Sequence, residues 1–401
     1  MVGEAVTVKA ESRPKDRRCQ TLLSVSDTAV LCQLVDWCSR AMGWSLRRFP
    51  LTKAVPLAIS RGTTSVVERL ELRLNHGGTV GFGETGGLDT GHRAYALEAI
   101  EAELQALLPT LESLNPEDRH SMEPWLASLS PPARCAVDLA LWDWWGRQLG
   151  QPIWKLFALD GTRGVATSVT LGLATVEKVL ERLQRWWRQM PATRIKLKLG
   201  SPEGLEHDRA LLQAVAIALE ERSQRMAVAH ELQVDANGGW TLEQAKAMQV
   251  DLEQAGVALL EQPLPARLDP DEVLRGFAAL RPLCNLPLVA DESCWALKAL
   301  LRLAPHVDGV NLKLLKTGGL TEAWLMAQVA ERLDLDLMVG CYSDSTLLNA
   351  AAAQLLPCIR WPDLDSHLNL VDDPYSGLPL KGDQLLPPQG CGLGVAPLEA
   401  S

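Results

Sequence analysis

The sequence predicts an α/β protein: a parallel (β/α) barrel of the TIM type with an α+β capping domain ahead of it. Three observations carry this reading. After Gly150, short apolar runs alternate with amphipathic stretches long enough for crossover helices. The six intervals from Lys198 to Asp363 span 165 residues, or 27.5 each, close to the roughly 31 per unit of an eight-unit barrel of about 250 residues. The first third follows a different pattern, a hairpin followed by helical periodicity.

Residues 1–44 are polar, with Lys9, Arg13, Lys15, Arg17 and Arg18 near the start and no long apolar core before Asp27, so no secretory signal is expected. This segment is set outside the fold as an N-terminal extension, with a native start expected at Met42. Residues 45–150 form the expected cap. Within it Val66 to Leu74 alternates, Asn75-His76-Gly77-Gly78 supplies a turn, and Thr79 to Glu84 resumes the strand. Helical periodicity then runs from His92 to Leu108 and from Pro132 to Leu149. Gly81, Gly83 and Gly86 spell G-x-G-x-x-G, but no helix opens on the third glycine, so a bent strand and loop is expected rather than a dinucleotide site.

Residues 151–369 form the expected barrel, its strands VATSVTLGL, RIKLKLG, LQVDANG, ALLEQP, LPLVADES, GVNLKLLK, LDLMVGC and WPDLDS. The tryptophans at 142, 144, 145, 186 and 187 fall in helical stretches and read as packing.

Composition excludes several functions. Hydrophobic residues make up 47% and charged residues 22% of the 401, and no run of eighteen uncharged apolar residues occurs, so no membrane span is expected. A formal charge of -10 argues against nucleic acid as a partner. Nine cysteines without a C-x-x-C pair indicate neither a disulfide framework nor a zinc knuckle, and fit a reducing cytoplasm. No H-E-x-x-H occurs among the seven histidines, so an expected metal is a hard one held by carboxylates.

Strand parity then locates the chemistry. In RIKLKLG, if Leu197 and Leu199 meet the outer helices, Lys196 and Lys198 point inward near the carboxyl end, where barrel active sites gather. Three later strands end in a carboxylate: Asp235, Glu261 and Asp291, spaced 26 and 30 residues apart, one βα unit each. Three converging carboxylates repel one another unless a cation joins them, and Mg2+ with oxygen ligands is the natural occupant. One unit further, Lys313 is the inward candidate while Lys316 lies beyond the expected strand end. The second and sixth strands of an eight-stranded barrel are opposite, so Lys198 and Lys313 would face each other across the cation. Such a site could stabilise an enediolate while one lysine on each face removes or returns a proton, with neighbouring positive charge lowering the lysine pKa.

With these residues placed, the chain resembles the enolase superfamily, in its muconate lactonizing subgroup, over roughly residues 45–390. RIKLKLG, VDANGGW, LLEQP, VADES and VNLKLLKTGGL occur in the family's order. The resemblance implies a modified enolase-type barrel, with the capping domain completed by about 370–401. It also implies Asp235, Glu261 and Asp291 as Mg2+ ligands, Lys198 and Lys313 as paired acid/base residues and Lys196 as an electrostatic helper. WPDLDSHLNLVDDP is similar to the D-x-D segment by which dipeptide epimerases hold the substrate ammonium, which assigns that role to Asp363 and Asp365. ISRGTT also resembles epimerases, with Arg61 placed to pair with an acidic substrate side chain. Where the family commonly has glutamate after the seventh strand, this chain has Asp344.

The function expected is thus Mg2+-dependent epimerisation of the C-terminal residue of an L,L-dipeptide such as Ala-Glu. Alternatives are an o-succinylbenzoate synthase or muconate cycloisomerase, which need no ammonium site, and more distantly an NAD-dependent oxidoreductase or a non-catalytic metal-binding protein. Lys313 in place of a histidine disfavours mandelate-racemase-type chemistry. Cys341 lacks a histidine to activate it. A small-molecule dipeptide is the expected partner, and a homo-oligomer is left open.

Overall fold

The computed structural model describes residues 43–59, 62–267 and 269–398. Its first sheet is antiparallel, with β1 (Gly43–Ile59), β2 (Gly62–His76) and β3 (Thr79–Gly86) in that order. β2 and β3 form the expected hairpin, turned at Gly77 and Gly78, whose φ values of 61° and 80° favour glycine. The expected hairpin gains a third strand, β1, paired along β2 from Gly43↔Asn75 with a shift between Thr52 and Leu57.

Alternate residues Leu70, Leu72 and Leu74 of β2 are buried in one core with Ile100, Leu104 and Leu111 of α1 (Leu97–Leu111), Met122 and Leu126 of α2 (Arg119–Leu126), and Trp144 of α3 (Pro131–Gln148). The glycine run serves this packing. A Cβ on Gly83 would lie 2.0 Å from the Ala136 carbonyl oxygen and one on Gly81 2.3 Å from that of Ala140, so the glycines let α3 seat against β3.

Eight strands form one parallel sheet in sequence order: β4 (Ser168–Leu171), β5 (Arg194–Lys198), β6 (Glu231–Asp235), β7 (Val257–Glu261), β8 (Leu288–Ala290), β9 (Gly309–Leu312), β10 (Asp336–Gly340) and β11 (Trp361–Asp363). Side chains join its first and last strands. Ser168 Oγ donates to Asp363 Oδ1 at 2.6 Å, Leu364 N to Thr167 Oγ1 at 3.0 Å, and Thr170 N to Asp365 Oδ2 at 2.7 Å.

The run VATSVTLGL is therefore split. Val165–Ala166 pairs antiparallel with Gln384–Leu385 outside the barrel sheet, because Thr167 is occupied by Asp383 and Leu364.

Helices fill the intervals: α4 (Val176–Gln189), α5 (Leu205–Met226), α6 (Leu242–Gln254), α7 (Pro270–Leu280), α8 (Leu297–Leu303), α9 (Leu320–Arg332) and α10 (Thr346–Ala353). α6 opens on a capping box, Thr241 with Gln244.

Most of the core lies between strands and helices. Leu259, Val289, Met338 and Trp361 make a separate buried cluster. Each lies two residues before Glu261, Asp291, Gly340 or Asp363, on the same strand face. An apolar layer thus floors the barrel interior, beneath the charged layer that follows on the same strands.

Past the barrel the chain returns to the first sheet and α3. Val371 N donates to the Thr52 carbonyl at 3.0 Å, Thr52 N to Asp372 Oδ1 at 2.6 Å, and Leu393 N to Asp143 Oδ1 at 2.7 Å. Among the described residues no helix is long and apolar enough to cross a membrane.

Candidate active site

Alternation along the strands sets the site. Lys196 and Lys198 lie on one face of β5 and the fully buried Leu197 on the other, and both lysines are buried. Lys198 pairs in register with Asp235, which pairs in turn with Glu261 on β7. Asp291 follows β8 directly. One carboxylate oxygen each from Asp235, Glu261 and Asp291 lies within 4.8 Å of the others, and all three residues are buried. Such a compact, dry, all-oxygen set fits a hard divalent cation such as Mg2+ and suits no soft metal.

The electrostatics show what holding these groups together costs. Glu261 is pushed up to about 8, first by burial and then by the neighbouring Asp235 charge. Its Oε1 accepts from Asn311 Nδ2 at 2.8 Å. Burial works against ionisation of Asp235 and Asp291 as well, but lysines outweigh it: Lys198 and Lys196 hold Asp235 below the usual carboxylate range, and Lys313 and Lys316 hold Asp291 well below it.

Lys196 Nζ lies 2.5 Å from Glu261 Oε2, 2.6 Å from Asp363 Oδ2 and 3.4 Å from Asp235 Oδ2. Burial disfavours its charge, yet Asp363, Glu261 and Asp235 keep it an ammonium well above the ordinary lysine range. Lys198 Nζ donates to Asp235 Oδ2 at 2.5 Å.

Lys313 directly follows β9, and its Nζ donates to Asp291 Oδ2 at 2.7 Å and stands 4.7 Å from the centre of the Tyr342 ring. The lowering of a lysine pKa expected from Mg2+ and Lys196 is opposed at Lys313 by the Asp291 carboxylate. Burial does favour the neutral amine, but Asp291 outweighs it and holds the group well above its ordinary value.

Lys316, set aside by the sequence reading, is part of the same cluster. The helical turn Leu314–Thr317 carries it back over the carboxylates, where its Nζ reaches Asp291 Oδ1 at 2.5 Å and the Asn311 carbonyl at 3.1 Å. The sequence signal was K-x-x-K, a spacing of one helical turn.

Asp363 and Asp365 both lie at the β4–β11 seam. Asp363 accepts from Ser168 and Lys196, and Asp365 accepts from the Thr170 amide. Burial and then Asp363 push Asp365 up to about 6. Arg61 lies outside the described residues.

Asp344, the departure at the seventh strand, meets the buried guanidinium of Arg69 from β2 and accepts from Tyr342 N at 3.0 Å. Arg69 Nε also donates to Glu84 Oε1 at 3.2 Å, and Glu84 accepts from Ser345 N at 3.1 Å. A buried ionic bridge therefore ties β2 and β3 to the loop after β10. The alternation over Val66 to Leu74 places Arg69 on a strand without showing what it faces. Its signal was the pair of acids it neutralises.

Above these groups lies a cavity of about 370 Å³ into which Lys198 and Lys313 both open. Its roof comes from the first sheet, with Lys53, Leu57, Ile59 and Val67, and its far wall from Cys341 and Tyr342. Burial pushes the Cys341 thiol well up, in keeping with an inert sulfur.

Residues 178–401 match the family model described as enolase C-terminal domain-like, and residues 16–158 match that of the mandelate racemase / muconate lactonizing enzyme N-terminal domain. A hydrophobic dipeptide epimerase of Flavobacteria bacterium (strain MS024-2A) is 35% identical, over 88% of this chain and 98% of its own length. One of Roseobacter litoralis is 37% identical over 86% of this chain and 96% of its own. The crystal structure of a dipeptide epimerase from Enterococcus faecalis V583, complexed with Mg and L-Leu-L-Tyr, matches with a TM-score of 0.78 at 25% identity, covering 89% of this chain and 99% of that one.

Proposed function

The chain belongs to the mandelate racemase / muconate lactonizing enzyme family, and from that premise we propose that it is a Mg2+-dependent dipeptide epimerase inverting the α-carbon of the C-terminal residue. The observation that carries this is the opening of two buried lysines, from the second and sixth strands of an eight-strand barrel, into one cavity beside a three-carboxylate group.

Asp235, Glu261 and Asp291 would hold the cation, whose chemistry when bound is Lewis-acid stabilisation of charge developing on the substrate carboxylate. Lys198 and Lys313 perform the 1,1-proton transfer. One removes the α-proton from its side of the substrate, the other delivers a proton from the opposite side, and the configuration inverts. For one epimer Lys198 is the acceptor and Lys313 the donor, and for the other the roles are exchanged, so each lysine is neutral in turn when it acts as base. Lys196, locked as an ammonium among three carboxylates, supplies fixed positive charge rather than a mobile proton.

Asp363 and Asp365, at the β4–β11 seam and bonded there to Lys196, Ser168 and the Thr170 amide, take the substrate's ammonium. A cycloisomerase or synthase has no use for that feature. For the C-terminal side chain, the roof offers Leu57, Ile59 and Val67 beside Lys53, and the three apolar residues favour a hydrophobic group, in line with the two hydrophobic dipeptide epimerases above.

The test is incubation of the Mg2+-loaded protein with a dipeptide library in D2O. Deuterium should appear at the α-carbon of the C-terminal residue with loss of configuration. No exchange from any member contradicts the reading.

A further inference from the structure

Tyr342 carries a polar atom that the fold leaves unused. Its hydroxyl is buried and finds no hydrogen-bond partner among the described residues, although a phenol enclosed in protein is normally paired. Tyr342 is one of the residues that line the same cavity as Lys198 and Lys313. Its backbone is pinned by the bond from Tyr342 N to Asp344 Oδ2 at 3.0 Å, and its ring stands 4.7 Å from Lys313 Nζ.

We propose that the Tyr342 hydroxyl is a substrate-binding group that donates a hydrogen bond to the peptide carbonyl of the dipeptide. This rests on the epimerase reading above and adds to it.

Position selects the peptide group. Tyr342 follows β10, which lies between β9, leading to Lys313, and β11, carrying Asp363; Leu312 pairs with Val339 and Gly340 with Asp363. Lys313 acts at the α-carbon and Asp363 lies on the side of the ammonium, so the part of a dipeptide spanning the two is its amide. The substrate carboxylate lies elsewhere, toward Asp235, Glu261 and Asp291. Burial keeps the phenol neutral, so it retains a proton to donate. A buried donor that meets an acceptor only when substrate is present favours the complex over the free protein.

The test compares the wild-type protein with Tyr342→Phe, which keeps the ring and removes only the hydroxyl. Two Mg2+-supported substrates are used, identical in the N-terminal residue and carrying C-terminal valine or threonine, which match in shape and differ by one hydroxyl. α-Deuterium exchange is followed against substrate concentration. The expected result is a KM raised about tenfold for both substrates with kcat little changed, the size of one neutral hydrogen bond. An unchanged KM overturns the assignment. So does a rise confined to the threonine substrate, which places the bond on the side chain, and so does a loss of kcat at constant KM, which places the effect on Lys313. A wild-type protein that exchanges no dipeptide overturns the epimerase reading itself, and is told apart because the failure precedes any variant.

Discussion

Asp235 and Glu261 stand opposite each other in register on adjacent strands, both fully buried, with the Lys196 ammonium against both. Two like charges in a dry interior resist simultaneous ionisation, and the strain falls on Glu261, whose pKa rises to about 8. Mg2+ must therefore displace a proton when it binds below that value. Calorimetry at pH 7 in buffers of different ionisation enthalpy should show proton release, and the affinity for Mg2+ should rise with pH through about 8. In Glu261→Gln both the proton release and most of the affinity should be lost. Buffer-independent heats in the wild-type protein would contradict this account.

Lys316 serves Asp291 as a fixed counter-charge, bonded to its Oδ1 and to backbone carbonyls of Asp291 and Asn311. Lys316→Met removes one partner of a buried pair and leaves carbonyls unsatisfied, which costs about 3–5 kcal/mol. Urea unfolding should show that loss, with Lys316→Arg recovering part of it. A change under about 1 kcal/mol would show that Asp291 is held by Lys313 alone.

Arg69 joins two buried acids that lie on separate parts of the chain, Glu84 on β3 and Asp344 after β10. Arg69→Met should lower stability by about 3–5 kcal/mol, because both carboxylates lose their counter-ion. In the double variant Arg69→Met with Asp344→Asn the loss should be smaller than the sum of the single losses, the signature of a coupled pair in a double-mutant cycle. Additive losses would contradict the bridge.

His367 supplies a pH signature. Burial lowers its pKa from 6.5 to about 4, and its Nδ1 finds no hydrogen-bond partner among the described residues. Between these values the unfolded chain binds a proton that the folded chain does not, so this residue's contribution to stability is complete above pH 6.5 and declines as pH falls toward 4. Asp365 and Glu84, raised to about 6 and about 7, act in the opposite sense, so the informative quantity is a difference. The stability of wild type minus that of His367→Gln should decline from pH 7 to pH 4 by at most roughly 3 kcal/mol. A flat difference would contradict the assignment.

The legible part of this molecule was its period. Strand ends recurring once per βα unit placed Asp235, Glu261 and Asp291 around one mouth, and alternation turned Lys196 and Lys198 inward, because spacing and parity survive in sequence. What stayed hidden depended on contacts across long separations. Lys316 comes back over Asp291 through a four-residue helical turn that no strand pattern announces. Arg69 is one residue of an alternating strand until Asp344, 275 positions later, lies against it. The run VATSVTLGL reads as one strand, and only the return of the chain at Asp383 and Leu364 divides it at Thr167.

The central claim is that Lys198 and Lys313 serve opposite sides of one α-carbon. It is tested most directly by following α-deuterium incorporation in Lys198→Ala and Lys313→Ala, each with Mg2+ and each presented separately with the two epimers of a dipeptide that the wild type interconverts. Both variants should remain folded and lose interconversion, and each should still exchange the α-proton of one epimer only, the two variants choosing opposite epimers. Interconversion by either variant, or exchange of the same epimer by both, would contradict the account.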